Sequence, residues 1–192
     1  MLLESLPLHL GKEIIRFSLP ATDGKGYGPI DFTDKEILVL IFMCNHCPYI
    51  QATIDRMIAI QKDYAEKGVQ LLGINANDAE AYPDDSFEAM QVWAKEKGLN
   101  FPYLHDESQE VAKAYQAQCT PDIYVFDQKR ALRYHGRIDD NWPVRTDVHP
   151  GGKDESAITK KDLREALDAI LAHEPVSLDQ KPSMGCSIKW KK

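Results

Sequence analysis

Two cysteines three positions apart stand where an apolar segment of the chain gives way to a helical pattern. Cys44 and Cys47 follow a continuous apolar run at residues 37 to 43, and apolar side chains then recur at helical spacing from residue 49 to residue 67. A cysteine at a helix start faces unpartnered backbone N–H groups and the positive end of the helix dipole, which favour thiolate over thiol. This position predicts Cys44 as a nucleophile in thiol-disulfide exchange.

The spacing of the pair suits a two-step exchange. Cys47 would fall on the same helix face as Cys44, within the first turn, where it can attack a mixed disulfide on Cys44 and release the reduced substrate. His46, between them, can carry positive charge near neutral pH. That charge would stabilise the reduced thiolate, and so we expect a more oxidising disulfide than a neutral linker would give.

Two other interpretations of the pair stay open at this point. A zinc site would need two further ligands from Cys119, Cys186 or His46, but these form no second closely spaced pair, and we therefore expect neither a metal nor another cofactor. The pair could also be two small apolar side chains buried at a strand end. The position at a strand-to-helix junction favours redox chemistry.

The remaining cysteines differ in their surroundings. Cys119 precedes Thr120 and Pro121, directly before an apolar segment, and a proline is structurally tolerated at the first position of a strand. We expect Cys119 to be buried and inert. Cys186 lies in a tail whose apolar residues could dock on the domain and present the thiol as a resolving partner, although a disordered end with an idle thiol explains it equally well.

The elements that must position these residues follow from hydrophobic patterning. The run at residues 37 to 43 has the length and branched composition of a central strand covered on both faces. Apolar runs and helical patterns then alternate, which predicts a mixed α/β sheet layered by helices, and two runs around a Gly-rich turn predict an N-terminal hairpin extension at about residues 14–32. The predicted strands are residues 14–19, 27–32, 37–43, 69–75, 101–104, 122–127 and 131–138, and the predicted helices are residues 49–67, 85–97, 108–115 and 159–172, the last with Thr159 as N-cap.

Length and charge narrow the class of protein. The 192 residues with 43% apolar content predict a single domain at residues 1–175 and a C-terminal tail at residues 176–192. A net charge of -7 without a basic run argues against binding to nucleic acid. No apolar run approaches the roughly 20 residues that cross a bilayer, so we expect no membrane as a partner either. Four sparse cysteines and a start without a secretory pattern predict a cytoplasmic protein.

The motifs together resemble the thioredoxin superfamily, in which a strand ends in Cys-x-x-Cys and a later Thr-Pro opens a hairpin. The resemblance implies a thioredoxin-like fold and a cis Thr120–Pro121 bond lying against the cysteine pair. Thr120 and Pro121, with His46, would then be substrate-binding residues, and Thr120 would offer backbone groups to an extended substrate chain. The family's buried acid has no counterpart in the apolar run at residues 37 to 43, so deprotonation of Cys47 would rely on another base or on water.

More narrowly, the motif Cys-Asn-His-Cys-Pro-Tyr at residues 44 to 49, Cys-Thr-Pro-Asp at residues 119 to 122 and Phe-Ser-Leu-Pro at residues 17 to 20 resemble the peroxiredoxin-like members of the alkyl hydroperoxide reductase and thiol-specific antioxidant group. That comparison aligns Cys47 with the peroxidatic cysteine and places Cys44 at the position of a threonine. A peroxidase would also need a group that stabilises the thiolate and polarises the peroxide, for which Arg137 is the candidate, although a surface cation at a strand end explains Arg137 too.

These observations predict an enzyme, a thiol-disulfide oxidoreductase in which Cys44 attacks and Cys47 resolves. The alternative is a thiol peroxidase with antioxidant activity in which Cys47 reacts first. A third possibility is a thioredoxin-fold protein that only binds a partner. The expected partners are a protein or small-molecule disulfide, or a peroxide, and a thiol electron donor. Cys119, Arg137 and Cys186 are the possible auxiliary residues.

Overall fold

The strand that leads into the cysteine pair is buried along its whole length. The computed structural model describes residues 1–141 and 155–192. Every residue of Ile37–Phe42 is buried, and alternate side chains enter two apolar clusters on opposite sides of the sheet, because successive side chains of a strand point to opposite faces. The prediction of a central strand covered on both faces is confirmed.

The elements are numbered here in chain order. The strands are β1 (Leu2–Glu4), β2 (Leu19–Pro20), β3 (Gly26–Tyr27), β4 (Ile37–Phe42), β5 (Val69–Asn75), β6 (Tyr103–His105), β7 (Cys119–Thr120), β8 (Asp122–Phe126), β9 (Leu132–His135) and β10 (Met184–Ser187). The helices are α1 (Pro48–Tyr64), α2 (Phe87–Lys97), α3 (Glu110–Tyr115) and α4 (Asp162–Leu171).

A mixed five-stranded sheet forms the centre, in the order β6, β5, β4, β8, β9. β4, β5 and β6 pair in parallel, whereas β8 pairs antiparallel with both β4 and β9. Residues of α1, α2 and α4 join the apolar cluster on one face of β4, and residues of α3 join the cluster on the other. The predicted mixed sheet flanked by helices is confirmed.

A second, three-stranded sheet brings the two ends of the chain together beside the Thr-Pro segment. β10 lies between β1 and β7 and pairs antiparallel with each. The tail therefore docks on the domain, which removes the alternative of a disordered end for residues 176–192. In the part of the chain that the structure describes, no helix combines the length and the apolar character needed to cross a membrane.

Several predicted boundaries were wrong. The N-terminal hairpin is reduced to β2 and β3, because residues 29 to 32 form a 3-10 turn that begins at Pro29. β9 ends at His135 rather than at residue 138. The N-cap of α4 is Lys161 rather than Thr159. The backbone N–H of Thr159 donates instead to the Asp140 carboxylate, at 2.9 Å. Most of the predicted polar loop at residues 139–156 lies outside the described residues.

Candidate active site

The cysteine pair lies against the Thr-Pro segment, as the resemblance implied. β4 ends one residue before Met43, and β7 ends at Thr120, whose bond to Pro121 is cis. The Cys44 Sγ lies 3.5 Å from the Thr120 Oγ1, and the Cys47 Sγ lies 3.1 Å from the Thr120 carbonyl oxygen. Both sulfurs are buried, and neither forms a disulfide.

The helix start faces Cys47 rather than Cys44. α1 begins at Pro48, and Cys47 occupies the N-cap position with extended backbone angles, so that Cys44 lies in the loop before it. Pro48 has no N–H to offer, and the backbone N–H of Ile50 is the helix group that hydrogen-bonds to the Cys47 sulfur. The expectation that Cys44 and Cys47 share the first helical turn was therefore wrong, because both cysteines precede Pro48.

Hydrogen bonds concentrate negative charge on Cys47. Burial raises the pKa of the Cys47 thiol, but hydrogen bonds from the Cys186 and Cys44 thiols outweigh burial and hold that pKa well below its ordinary value. The Thr120 and Ile50 contacts lower it further. The Thr120 carbonyl works the other way, because it accepts only from a protonated thiol. The balance lowers the pKa of Cys47 and so favours a thiolate there over one on Cys44.

Cys44 is held as a thiol by its neighbours. The hydrogen bond to Cys47, burial, and the negative charges of Cys47 and Asp85 all raise the pKa of Cys44. The helix start that was expected to favour a thiolate at Cys44 lies at Cys47 in this structure. The attacking role given to Cys44 stays a prediction.

A buried carboxylate, which the sequence analysis missed, organises the loop between the cysteines. Asp85 is fully buried and accepts from the Asn45 N–H at 2.8 Å, the Asn77 amide at 2.8 Å and the His46 Nδ1 at 2.5 Å. Asp84 and Asp85 stand before a helical pattern, where acidic residues typically cap a helix or face solvent. The 3-10 turn before α2 instead brings Asp85 under the loop. Residues 37 to 43 contain no buried acid, but Asp85, from the 3-10 turn before α2, supplies one near the cysteine pair.

The same contact sets the charge of His46. Its hydrogen bond to Asp85 raises the pKa of His46, against burial, which lowers it. Burial raises the pKa of Asp85, but the hydrogen bonds from His46 and Asn77 outweigh it and leave that pKa lowered. His46 also stacks on Tyr82, with ring centroids 5.5 Å apart. The raised pKa favours the positive charge that the sequence predicts at His46.

Three groups could together hold a metal ion. One ligand atom each from Cys44, His46 and Asp85 lies within 4.8 Å of the others. In the described residues this set competes with existing bonds, because the Asp85 carboxylate already accepts from His46, Asn45 and Asn77. The expectation of no metal stays a prediction.

The remaining candidates occupy different surroundings. Cys119 is buried, which raises the pKa of its thiol, and the thiol lies 3.4 Å from the Pro121 carbonyl oxygen. Arg137 donates from Nε to Asp162 at 2.8 Å, at the start of α4. Cys186 pairs with Thr120 across β10 and β7, and its thiol hydrogen-bonds to Cys47.

Comparison with known proteins matches this geometry. The AhpC/TSA family model matches residues 10–135. The thiol-disulfide oxidoreductase ResA of Halalkalibacterium halodurans is 24% identical over 148 residues, which are 77% of this chain and 72% of that protein.

Two solved structures are similar over almost the whole chain. An uncharacterized conserved protein from Geobacillus kaustophilus is 43% identical with a TM-score of 0.88, and the match covers 100% of this chain and 97% of that one. A hypothetical protein from Sinorhizobium meliloti is 38% identical with a TM-score of 0.88, over 98% of each chain. More distant thioredoxin-like structures share the fold alone. The predicted thioredoxin-like fold, peroxiredoxin-like relationship and oxidoreductase class are confirmed, and the chain belongs to the AhpC/TSA family.

Proposed function

We propose that this protein is a thiol-disulfide oxidoreductase whose Cys44–Cys47 pair cycles between dithiol and disulfide. The observation that carries the proposal is the three-way contact of the Cys44 and Cys47 sulfurs with each other and with Thr120, beside the cis Pro121. The name of the ResA relative supports the same reaction class. A cytoplasmic location, predicted from the sparse cysteines of the sequence, is part of the proposal.

The pKa shifts favour an order of steps that reverses the one predicted from the sequence, with Cys47 attacking first and Cys44 resolving. The Cys47 thiolate attacks one sulfur of a substrate disulfide, forms a mixed disulfide and releases the first substrate thiolate. Cys44 then gives up its proton to that leaving thiolate or to water and attacks the Cys47 sulfur. The second substrate thiolate leaves, the substrate has gained two electrons, and the protein holds a Cys44–Cys47 disulfide. A thiol donor returns it to the dithiol.

Thr120, Pro121 and His46 are the proposed substrate-binding residues, although β10 already pairs with the Thr120 backbone that was expected to meet an extended substrate chain. Thr120 contacts both sulfurs, and Pro121 follows it through the cis bond. His46 stands beside Cys44 with a partly exposed ring. A protein or small-molecule disulfide is the proposed substrate class. The thiol peroxidase alternative has weaker support, because the guanidinium of Arg137 is engaged by Asp162.

An insulin-reduction assay with a thiol donor tests the proposal. We expect the double variant Cys44→Ser, Cys47→Ser to lose the activity and Cys119→Ser, a matched change of a buried cysteine outside the pair, to keep it. Activity that survives in the double variant would contradict the proposal and leave a thioredoxin-fold protein that only binds a partner. Hydrogen peroxide consumption no faster than that of a free thiol excludes the peroxidase.

A further inference from the structure

The C-terminal strand occupies the edge where an extended substrate chain would pair. β10 runs antiparallel to β7, with Cys186 opposite Thr120 and Ser187 opposite Cys119. Gly185 packs so closely on this edge that a Cβ atom there would lie 2.0 Å from the Thr120 carbonyl oxygen. The backbone of Thr120 is therefore engaged by the chain's own tail.

Contacts on both sides of β10 hold the tail in this place. The buried Ser183 donates from its hydroxyl to the Gly136 carbonyl oxygen at 2.7 Å. After the strand, the Ile188 N–H donates to Gln118 at 3.1 Å, and the Lys189 N–H donates to the Asn77 Oδ1 at 2.9 Å. The tail is anchored before and after Cys186.

The three neighbouring sulfurs differ in access. Cys44 is 1% exposed and Cys47 is 0% exposed, whereas Cys186 is half-buried. Of the four cysteines, all of which lie in the described part of the chain, Cys186 alone is not fully buried. A thiol from solution therefore meets Cys186 before it meets the pair.

Cys47 is the central sulfur of the three. Its sulfur hydrogen-bonds to both the Cys44 and the Cys186 thiols, so both candidate disulfide partners are its neighbours. Those same bonds make Cys47 the stabilised thiolate, and a stabilised thiolate is the better leaving group in disulfide exchange.

We propose that Cys186 is a third redox thiol of this site, through which electrons from a small thiol donor reach the buried Cys44–Cys47 disulfide. The proposal rests on the function proposed above and adds the route by which the pair is reduced. In this role β10 delivers a reacting sulfur to the pair rather than only covering it.

The steps balance with a monothiol donor. Cys186 loses its proton and attacks the Cys47 sulfur, which forms a Cys47–Cys186 disulfide and releases Cys44 as a thiolate that takes up a proton. A donor thiolate attacks the Cys186 sulfur and expels the Cys47 thiolate. A second donor thiolate attacks the donor sulfur of that mixed disulfide and releases Cys186. Two donor thiols become one donor disulfide, and the protein gains two electrons.

The rate at which glutathione reduces the oxidised protein tests the route. We expect Cys186→Ser to slow reduction of the Cys44–Cys47 disulfide by about tenfold or more, since the thiol of the least buried cysteine is lost. Gly185→Ala keeps every cysteine but pushes β10 away from Thr120. We expect glutathione to reduce this variant more slowly than wild type as well. Cys119→Ser, in the neighbouring strand β7, is the matched control and should keep the wild-type rate.

Disulfide mapping of Cys44→Ser after oxidation is the second readout. We expect a Cys47–Cys186 disulfide, identified by mass spectrometry after acid quenching and alkylation. A wild-type reduction rate in Cys186→Ser together with faster reduction in Gly185→Ala would overturn the proposal and show that the tail is only a cover. A persistent glutathione adduct on Cys47 beside an unmodified Cys186 would overturn it too.

Failure of this inference is distinguishable from failure of the proposed function. If wild-type protein forms no Cys44–Cys47 disulfide on oxidation, the proposed function fails. If the disulfide forms and Cys186→Ser is reduced at the wild-type rate, only the route through Cys186 fails.

Discussion

The His46 Nδ1 lies 2.5 Å from a carboxylate oxygen of Asp85, and this ion pair stands beside the Cys44 thiol. Asp85 is fully buried, whereas 27% of the His46 side chain is exposed. The carboxylate therefore does two things at once: it holds a positive charge on His46 and raises the pKa of Cys44. The loop between the cysteines is fixed through a residue forty positions away in the sequence.

Asp85→Asn should lower the pKa of His46. Without the carboxylate, the hydrogen bond that raises the pKa of His46 loses its charge, and burial, which lowers it, remains. A pH titration of the His46 ring signals by NMR measures the shift. Asp84→Asn, a change at the exposed neighbour, is the control and should leave the His46 titration unchanged. Equal titration curves for wild type and Asp85→Asn would contradict the claim that Asp85 raises the pKa of His46.

Stability should vary with pH through the same pair. His46 has a raised pKa in the folded state, so its contribution is complete below its ordinary value of 6.5 and is lost as pH rises through the folded value. Asp85 has a lowered pKa, so its contribution is complete above 3.8 and is lost as pH falls through the folded value. Thermal unfolding from pH 4 to pH 9 should show that the difference in Tm between wild type and Asp85→Asn is largest between those two ordinary pKa values. A constant difference would contradict this linkage.

The low-pKa thiol should be Cys47. The ordinary pKa of a cysteine here is 9.0, and the hydrogen bonds to Cys47 hold its pKa far below that value. Thiolate absorbance near 240 nm in the reduced protein should persist at pH 6 in wild type and in Cys186→Ser, and disappear in Cys47→Ser. Retention of that absorbance in Cys47→Ser, with its loss in Cys44→Ser, would return the attacking role to Cys44.

Arg137→Gln should lower the free energy of unfolding while leaving the rate of insulin reduction nearly unchanged. Arg137 pairs with the buried Asp162 at 2.8 Å, and the loss of a charged hydrogen bond costs roughly 1–3 kcal/mol of the free energy of unfolding. Urea unfolding measures this cost, and insulin reduction should stay within about twofold of wild type. A large loss of peroxide turnover without a change in stability would favour the peroxidase.

The sequence sufficed for the parts of the site that depend on local pattern. The apolar run at residues 37 to 43, the helical spacing after it and the Thr120–Pro121 step predicted the strand, the helix and the segment that meets the pair. Each of these signals is carried by neighbouring residues, and the thioredoxin-like resemblance placed them in one fold.

The role of Asp85 could not be assigned from the sequence, and the docking of Cys186 could be given only as one of two alternatives, because both depend on tertiary contacts. Asp85 lies next to Asp84 and Ser86 in a polar stretch typical of a helix start, and Ser86 does cap α2. Only the fold shows that Asp85 turns inward beneath Asn45. The tail's antiparallel pairing of Cys186 with Thr120 joins residues 66 positions apart, and no local pattern encodes it.

The redox titration of the pair tests the central claim most directly. A variant with Cys119→Ser and Cys186→Ser leaves Cys44 and Cys47 as the remaining thiols, and glutathione buffers set the potential. We expect one two-electron transition, a Cys44–Cys47 disulfide by mass spectrometry, and a potential less reducing than the roughly -270 mV of thioredoxin, because His46 carries positive charge beside the pair. Thiols that stay reduced at every glutathione ratio would contradict the redox pair, and a potential at or below that of thioredoxin would contradict the role of His46.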